Sequence, residues 1–320
     1  SLVSCSCVSH VSSRDAVPAM RRRELRPEIP LSTLGFTDED VDIILEKART
    51  SAEPLGSVGL TPDPLAALDH RGTAARRNVA DYILETVAVV TNPSIDSVRE
   101  GAYFSVETLL GPRPSFRAFS TDIKQVLLSG PILYKEDLRS LRALFSDSTN
   151  LRVSRVKADF QRGESQAAAL RRLRDVVRDA VFRQKANILI LDSENIDGFP
   201  LDVHLAASAA IRELSENEHL QSQESEGQGP AGSAPPAPQV PASQTPAGSS
   251  LFRNVSLIVE SPRIRNLHDI VLLLGLGISA VCPTRLERIV LESERPALKD
   301  IPDQKRLENL KKAMLEGIKK

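Results

Sequence analysis

Residues 187–194 read NILILDSE, and the aliphatic run inside them, Asn187–Leu191, decides the fold. Ile188, Leu189, Ile190 and Leu191 follow one another without a polar partner. The run is too short for a helix and has no alternation, so it reads as a strand buried on both faces. Strands of that kind belong to parallel sheets, where the crossover helices supply the cover.

Outward from this run the alternation repeats. Upstream, Leu151–Val156 reads as a strand. Glu164–Gln184 then reads as a long helix, with Leu170, Leu173, Val176, Val177, Ala180 and Val181 inward and Arg171, Arg172, Arg174, Arg178 and Arg183 outward. Downstream come a helix at His204–Leu214, a strand at Val255–Val259, a helix at Ile264–Leu274 and a strand at Ile278–Val281. Pro302–Lys320 closes the chain as an amphipathic helix with Leu307, Leu310, Met314 and Ile318 on one face. The expectation is an α/β fold: a helical N-terminal part followed by repeated right-handed βα units on a parallel sheet. Four units make half of an eight-fold barrel, partial or collapsed, or one side of an open doubly wound sheet. The pattern leaves both open.

The N-terminal part reads as helices. Thr37 is a good N-cap, followed by acids in the first turn and an apolar stripe of Val41, Ile44, Leu45 and Ala48. A loop with Gly56, Gly59, Pro62 and Pro64 follows. Asn78–Val90 reads as a helix with Val79, Ile83, Val87 and Val90 inward. Asn92-Pro93 ends it, because the residue before a proline is driven out of the α region. A second helix is expected over Ser97–Leu110, with Ser97 and Glu100 at capping-box spacing and Gly111-Pro112 as its stop. Lys135–Phe145 reads as a short helix with Leu138, Leu141, Leu144 and Phe145 as its face.

Composition bounds the rest. The 320 residues are 41% hydrophobic but only 4% aromatic, with no Trp, so the core must be aliphatic. A net charge of −1 gives no electrostatic reason to expect nucleic acid. The longest apolar stretch, Ile270–Cys282, is broken by Gly275, Gly277 and Ser279, so no membrane span is expected. Cys5, Cys7 and Cys282 have no metal-site spacing, and their low, odd number suggests a reducing compartment. Residues 1–34, Ser-rich and then basic, are expected to be a disordered tail or fragment end, with a transit-like segment also open. Residues 35–320 are expected to form one domain. Within it, residues 223–250 are rich in Pro, Gly, Ser, Ala and Gln, and cannot bury enough surface to offset ordering; a disordered surface insertion is expected there.

The candidate sites read mostly as structure. Gly275-Leu276-Gly277 follows a helix instead of opening one, so a C-cap is expected and not a dinucleotide loop. His204 with Asp202, and His268 with Asp269, lack a third ligand at sensible spacing and read as polar helix-edge residues. Cys282 follows a strand and reads as inert packing. The arginines of the long helix interleave with Glu164, Asp175 and Asp179, which favours a salt-bridged face over an anion patch. Asn92, Asp96, Arg99 and Glu100 form the densest polar group in the helix joint, either as a capped, paired joint or as a wall facing a partner. No catalytic, cofactor-binding or metal-ligating residue is assigned.

Several of these blocks share an order and spacing with a known family. EPLGSVG at Glu53–Gly59 and TNPSIDSVRE at Thr91–Glu100 resemble the central domain of the glutamate synthase large chain. GFTDEDVDIIL at Gly35–Leu45, SGPILYKEDLRSL at Ser129–Leu141, FPLDVHLAASAAIRELS at Phe199–Ser215 and RNLHDIVLLLGLGISAVCP at Arg265–Pro283 extend the resemblance over nearly the whole 35–320 region. The chain departs at Val58, where the family has Met, and at Leu60-Thr61-Pro62-Asp63, where an acidic pair is missing. It departs again at Asp192-Ser193-Glu194, His268-Asp269 and Pro283-Thr284-Arg285-Leu286. Core-forming residues are kept while several exposed turn residues differ, so the departures bear on domain contacts more than on the fold.

The resemblance implies a structural and ammonia-channelling domain, itself non-catalytic, in an enzyme that converts glutamine, 2-oxoglutarate and a reductant to two glutamates. It implies as partners the glutaminase and FMN-binding domains of the same polypeptide. FMN and an iron–sulphur cluster would belong to the full-length enzyme and none to this chain, in the cytoplasm or a plastid. Ser57, Gly59, Thr91, Asn92, Pro93, Asp96, Arg99 and Glu100, which fall on the family's motifs, become the candidate domain-interface residues. Two alternatives stand beside this reading: a free-standing degenerate relative acting as an interaction or regulatory protein, and an independent β/α enzyme for a phosphorylated ligand.

Overall fold

The computed structural model describes residues 8–10, 29–53, 78–83, 105–113, 125–146, 151–194, 196, 198–216 and 254–319. The elements in chain order are β1 (Val8–His10), α1 (Leu31–Leu34), α2 (Asp38–Thr50), β2 (Thr108–Leu110), β3 (Gln125–Leu128) and α3 (Lys135–Ser146). Then come β4 (Val153–Lys157), β5 (Asp159–Phe160), α4 (Gln166–Phe182), β6 (Ile188–Asp192), β7 (Phe199–Pro200) and α5 (Val203–Glu216). The last are β8 (Ser256–Ser261), α6 (Leu267–Leu276), β9 (Ala280–Pro283), α7 (Thr284–Leu291), α8 (Pro296–Lys299) and α9 (Asp303–Lys319).

The fold is α/β around a four-stranded parallel sheet in the order β4-β6-β8-β9. The order never reverses. A doubly wound sheet needs a reversal, and with it a switch point. Right-handed crossovers that always step the same way put α4, α5 and α6 on one face, as in an arc of a barrel. Contacts of α4 with α5 and of α5 with α6 follow from this.

Strand periodicity splits the core in two. Leu189, Leu191, Leu257, Val259 and Val281 point to the helix side, into the larger core. Ile188, Ile190, Ile258, Ala280 and Cys282 point to the other face. In a closed barrel that face would look inward. Here Leu110, Val126, Leu128, Leu133, Leu138 and Leu141 cover it, from β2, β3, α3 and the segment between them. β3 is central in its own sheet, with β2 antiparallel on one side and β1 parallel on the other. Residues 131–133 then dock on the free edge of β9. Leu133 N donates to Val281 O at 2.8 Å, and Val281 N to Pro131 O at 2.7 Å.

The helix ends follow the expected local chemistry. Thr37 caps α2 in a full capping box with Asp40. Ser165 caps α4 and Asn266 caps α6. Gly277, at φ 111°, provides the left-handed C-cap of α6, where a side chain would be strained. The C-cap expectation for Gly275-Leu276-Gly277 therefore holds.

Two helices expected in the N-terminal part differ. Within Asn78–Val90, the described residues form only a 3-10 turn, Val79–Tyr82, and Ile83 is extended at φ −106°, ψ 114°. Ala80 is buried, and Ile83, expected inward, is exposed. The reason is tertiary: Asn78 and Asp81 are drawn to arginines of the β8–α6 loop, as set out below. The end of the Ser97–Leu110 helix is also not helical. Residues 105–107 are irregular and Thr108–Leu110 is strand β2, paired with β3. Short apolar runs do not distinguish the two states. Residues 84–90, 97–104 and the 223–250 run lie outside the described residues, as does most of 1–34. On α4, Val176 points outward, 42% exposed, although the pattern placed it inside.

Candidate functional site

Ser57, Gly59, Thr91, Asn92, Pro93, Asp96, Arg99 and Glu100 all lie outside the described residues. The structure does show what holds the ends that lead into them. Glu53, at the start of the first run, makes a buried pair with Lys47 of α2 at 2.8 Å. Residues 78–83, which precede the second run, are clamped onto the β8–α6 loop.

That clamp is built on Arg265. Its Nε and backbone N both donate to Asp269 Oδ2 at 2.9 Å, and its Nη2 donates to Asp81 Oδ1 at 2.8 Å. Its Nη1 reaches Gly35 O at 3.2 Å, which brings in the turn before α2. Arg263 donates to Asn78 Oδ1. Val79 N donates to Asp202 Oδ2 at 3.1 Å, and His268 Nε2 lies 3.0 Å from Ala80 O. Burial alone would lower the Arg265 guanidinium, but Asp269 and Asp81 outweigh it and hold it above its ordinary value. Burial likewise pushes Asp269 up, and Arg265 more than reverses this, leaving it below the usual carboxylate range.

The two histidines belong to this packing. His204 is buried instead of lying on a helix edge, with Nε2 3.2 Å from Asp269 O and Nδ1 3.8 Å from Asp202 Oδ1. His268 is partly buried against Ala80. Among the described residues no three His, Cys, Asp or Glu side chains are placed to hold a metal. The arginine face of α4 is salt-bridged, as its charge pattern suggested. The local partners are there, Arg172 with Glu164, Arg178 with Asp175 and Arg183 with Asp179, and Arg174 and Arg178 also converge on the buried Glu213 of α5 at 2.7 and 2.5 Å.

A second polar cluster sits at the carboxyl ends of the parallel strands, where open α/β sheets usually receive ligands. Register aligns Lys157, Asp192, Glu260 and Cys282 across four strands. Arg155 of β4 bridges Asp192 and Glu260. Lys135, the first residue of α3, pairs with Glu194 Oε1 at 2.7 Å, and Thr284 donates to Glu194 Oε2 at 2.7 Å. Lys135 N donates to Glu287 Oε2 at 3.2 Å. Sequence spacing could not reveal this group, since each member comes from a different element. The visible signal was an acid ending two buried strands, Asp192 after ILIL and Glu260 after SLIV.

Electrostatics here run against ionisation. Burial pushes Glu260 up, Arg155 opposes it, and Asp192 adds to it; the result lies above the usual carboxylate range. Burial raises Glu287 too, against the pull of Lys135. Cys282 is fully buried, and burial with Glu260 and Glu287 nearby drives its thiol well above its ordinary value. A thiol so placed is not a nucleophile.

The chain's family follows from matching its sequence along this framework. A model of the glutamate synthase central domain matches residues 30–320, almost the whole of the chain. The chain belongs to the glutamate synthase central domain family. It is 26% identical to the ferredoxin-dependent glutamate synthase of Antithamnion sp. over 79% of this chain and 14% of that protein. It is 25% identical to the glutamate synthase [NADH] of Schizosaccharomyces pombe over 97% of this chain and 13% of that protein. To the glutamate synthase [NADPH] large chain of Bacillus subtilis it is 25% identical, over 89% of this chain and 16% of that one. The glutamate synthase central domain seen here thus spans a small fraction of the length of its curated relatives.

The resemblance implies FMN and an iron–sulphur cluster for a full-length enzyme, and two features of the described residues do not suit them. An iron–sulphur cluster needs several thiolates, and Cys282 is a single thiol held protonated by burial. A flavin phosphate needs an electropositive strand-to-helix turn. The start of α7 after β9 instead faces the carboxylates of Glu194 and Glu287.

Proposed function

We propose that this domain serves as a non-catalytic structural and ammonia-channelling element of a longer glutamate synthase. That enzyme would convert glutamine, 2-oxoglutarate and a reductant to two glutamates, in the cytoplasm or a plastid. The domain would pack between the glutaminase and FMN-binding domains of the same polypeptide, which with their FMN and iron–sulphur cluster would carry the chemistry. The observation that carries this reading is the state of the sheet's carboxyl end: the position a β/α enzyme uses for its ligand is filled by Arg155, Lys135 and four carboxylates of the chain itself. Family membership over residues 30–320 supports it.

The interface role would fall to Ser57, Gly59, Thr91, Asn92, Pro93, Asp96, Arg99 and Glu100. The Glu53–Lys47 pair and the Arg265 clamp support this by fixing the approaches to both runs. Size separation of cell extract, followed by detection of peptides from residues 187–212, tests the proposal. Peptides in a band several times heavier than 34.9 kDa are expected. A band near that mass would favour a free-standing interaction or regulatory protein. Glutaminase activity or flavin absorbance in the purified chain would overturn the non-catalytic reading.

A further inference from the structure

Helix α6 reads LHDIVLLLGL and is apolar all the way round once its first turn is past. A helix of that composition belongs inside a protein and not on its surface. One side does face inward: Leu267, Ile270 and Leu273 are core residues, and Leu274 packs against them. The opposite side carries Val271, Leu272, Gly275 and Leu276, spaced as one helical face. Val271 and Leu272 are half-buried and Leu276 is 40% exposed, and none of the three belongs to either core. The other long helices turn charge outward: Arg171, Asp175, Arg178 and Arg183 on α4, and Lys305, Glu308, Lys312 and Glu316 on α9. On α6 the one charged side chain is Asp269, buried in the Arg265 clamp.

Gly275 sits in the middle of this outer face. A glycine inside a helix costs stability relative to alanine, and its use is to let another group come close. Gly130, Gly198 and Gly317 show that use within the chain, since the space of their missing Cβ is taken by Leu315, Phe160 and Leu267. At Gly275 no atom of the described residues lies within 4 Å of that position. The result is an open hollow edged by Val271, Leu272 and Leu276.

The neighbours of α6 are α5, α9 and the turn at 79–82. Helix α9 reaches it with its last turn: a Cβ on Gly317 would stand 2.5 Å from Leu267 Cδ2. In the longer polypeptide of the proposed function, on which this inference rests, residues beyond 320 would therefore leave the domain beside α6. The chain spans 13–16% of the three relatives named above, so most of such a polypeptide lies elsewhere. We propose that the outer face of α6 is the docking surface for the part of that polypeptide following residue 320, which sets an aliphatic side chain into the hollow at Gly275. The face offers apolar contact and no charge, so burial of Val271, Leu272 and Leu276 supplies the attraction. It is also preformed. His268 ties its first turn to Ala80 O at 3.0 Å, and Gly277 turns its other end into β9, so docking orders little.

Photo-cross-linking in the polypeptide at its native length tests this, with p-benzoylphenylalanine in place of Leu276 and the joined peptides mapped by mass spectrometry. Cross-links to peptides beyond residue 320 of the same polypeptide are expected. Cross-links only within residues 1–320, or only to a second copy, told apart by mixing isotope-labelled and unlabelled protein, would overturn the proposal. Gly275→Leu fills the hollow and should raise the rate of limited proteolysis just after residue 320 at least about tenfold, while Val176→Asp on the outer face of α4 should leave it unchanged. An unchanged rate in Gly275→Leu would also overturn it; if that variant does not fold, the cross-links decide. A native polypeptide near 34.9 kDa would overturn the proposed function and this docking surface together. A longer polypeptide without the expected cross-links would overturn the docking surface alone.

Discussion

The Arg265 clamp and the carboxyl-end cluster are both buried, both charged and both attached to loops that follow parallel strands, yet they respond to protons in opposite senses. In the clamp, each carboxylate shares a guanidinium through direct hydrogen bonds, and Asp269 lies below its ordinary range. In the cluster, burial outweighs the cations nearby, and Glu260 and Glu287 lie above it. Burial is the first cause in all three cases. Pairing decides the sign.

The consequences for stability follow from linkage. Asp269 contributes stability that is complete above the unfolded carboxylate range and is lost as pH falls through its lower folded value. Glu260 and Glu287 behave in reverse: their contribution is greatest below the unfolded range and is lost as pH rises through their raised folded values. Breaking the clamp should have the largest effect. Asp269→Ala leaves the Arg265 charge buried with only Asp81 opposite, and a loss of about 3–5 kcal/mol is expected from urea unfolding. Asp269→Asn should also flatten the acid limb of the stability–pH curve while leaving the alkaline limb unchanged; loss of both limbs would show that the two networks are not independent.

Smaller changes sharpen the comparison by sampling what surrounds it. Ile190→Ala opens a cavity on the inner face beneath the cluster and should cost about 2–4 kcal/mol without changing the pH profile. Asn266→Ala removes the N-cap of α6, next to the clamp, and should cost about 1 kcal/mol. Arg49→Ala breaks an exposed pair with Glu46 on α2 and should leave the unfolding midpoint unchanged. A shift there as large as that of Asn266→Ala would mean that exposed pairs matter more than their exposure implies.

The sheet was legible because its signal is local. ILIL, SLIV and AVC are aliphatic runs of strand length, and each is followed or preceded by a helical stripe that can be counted. Barrel arc against doubly wound sheet was not legible, since strand order is a long-range property; only the pairing of β4 with β6, β8 and β9 resolves it. The 78–90 region misled because its apolar period was real but its polar residues had distant partners: Asn78 and Asp81 answer to Arg263 and Arg265, more than 180 positions away. Helix α7 went unread for a related reason. TRLERIVL carries buried charges, Arg285 bonding Ile29 O and Glu287 accepting from Lys135 N, which blur its apolar face. Of the site, the resemblance supplied the candidate interface residues, which lie outside the described residues, and the structure supplied the Glu53–Lys47 pair and the Arg265 clamp that precede them in the chain.

The segment at residues 131–133 has a consequence for how the molecule meets copies of itself. Without it, β9 would present an open row of backbone donors and acceptors, the kind of edge along which sheets of separate molecules join. Pro131 O and Leu133 N instead take up the backbone groups of Val281, so chain of the same molecule covers this rim. At the opposite edge, β4 carries Arg155 and Lys157, whose charges discourage an incoming strand. Among the described residues, the four-stranded arc is thus guarded at both rims against edge-to-edge polymerisation.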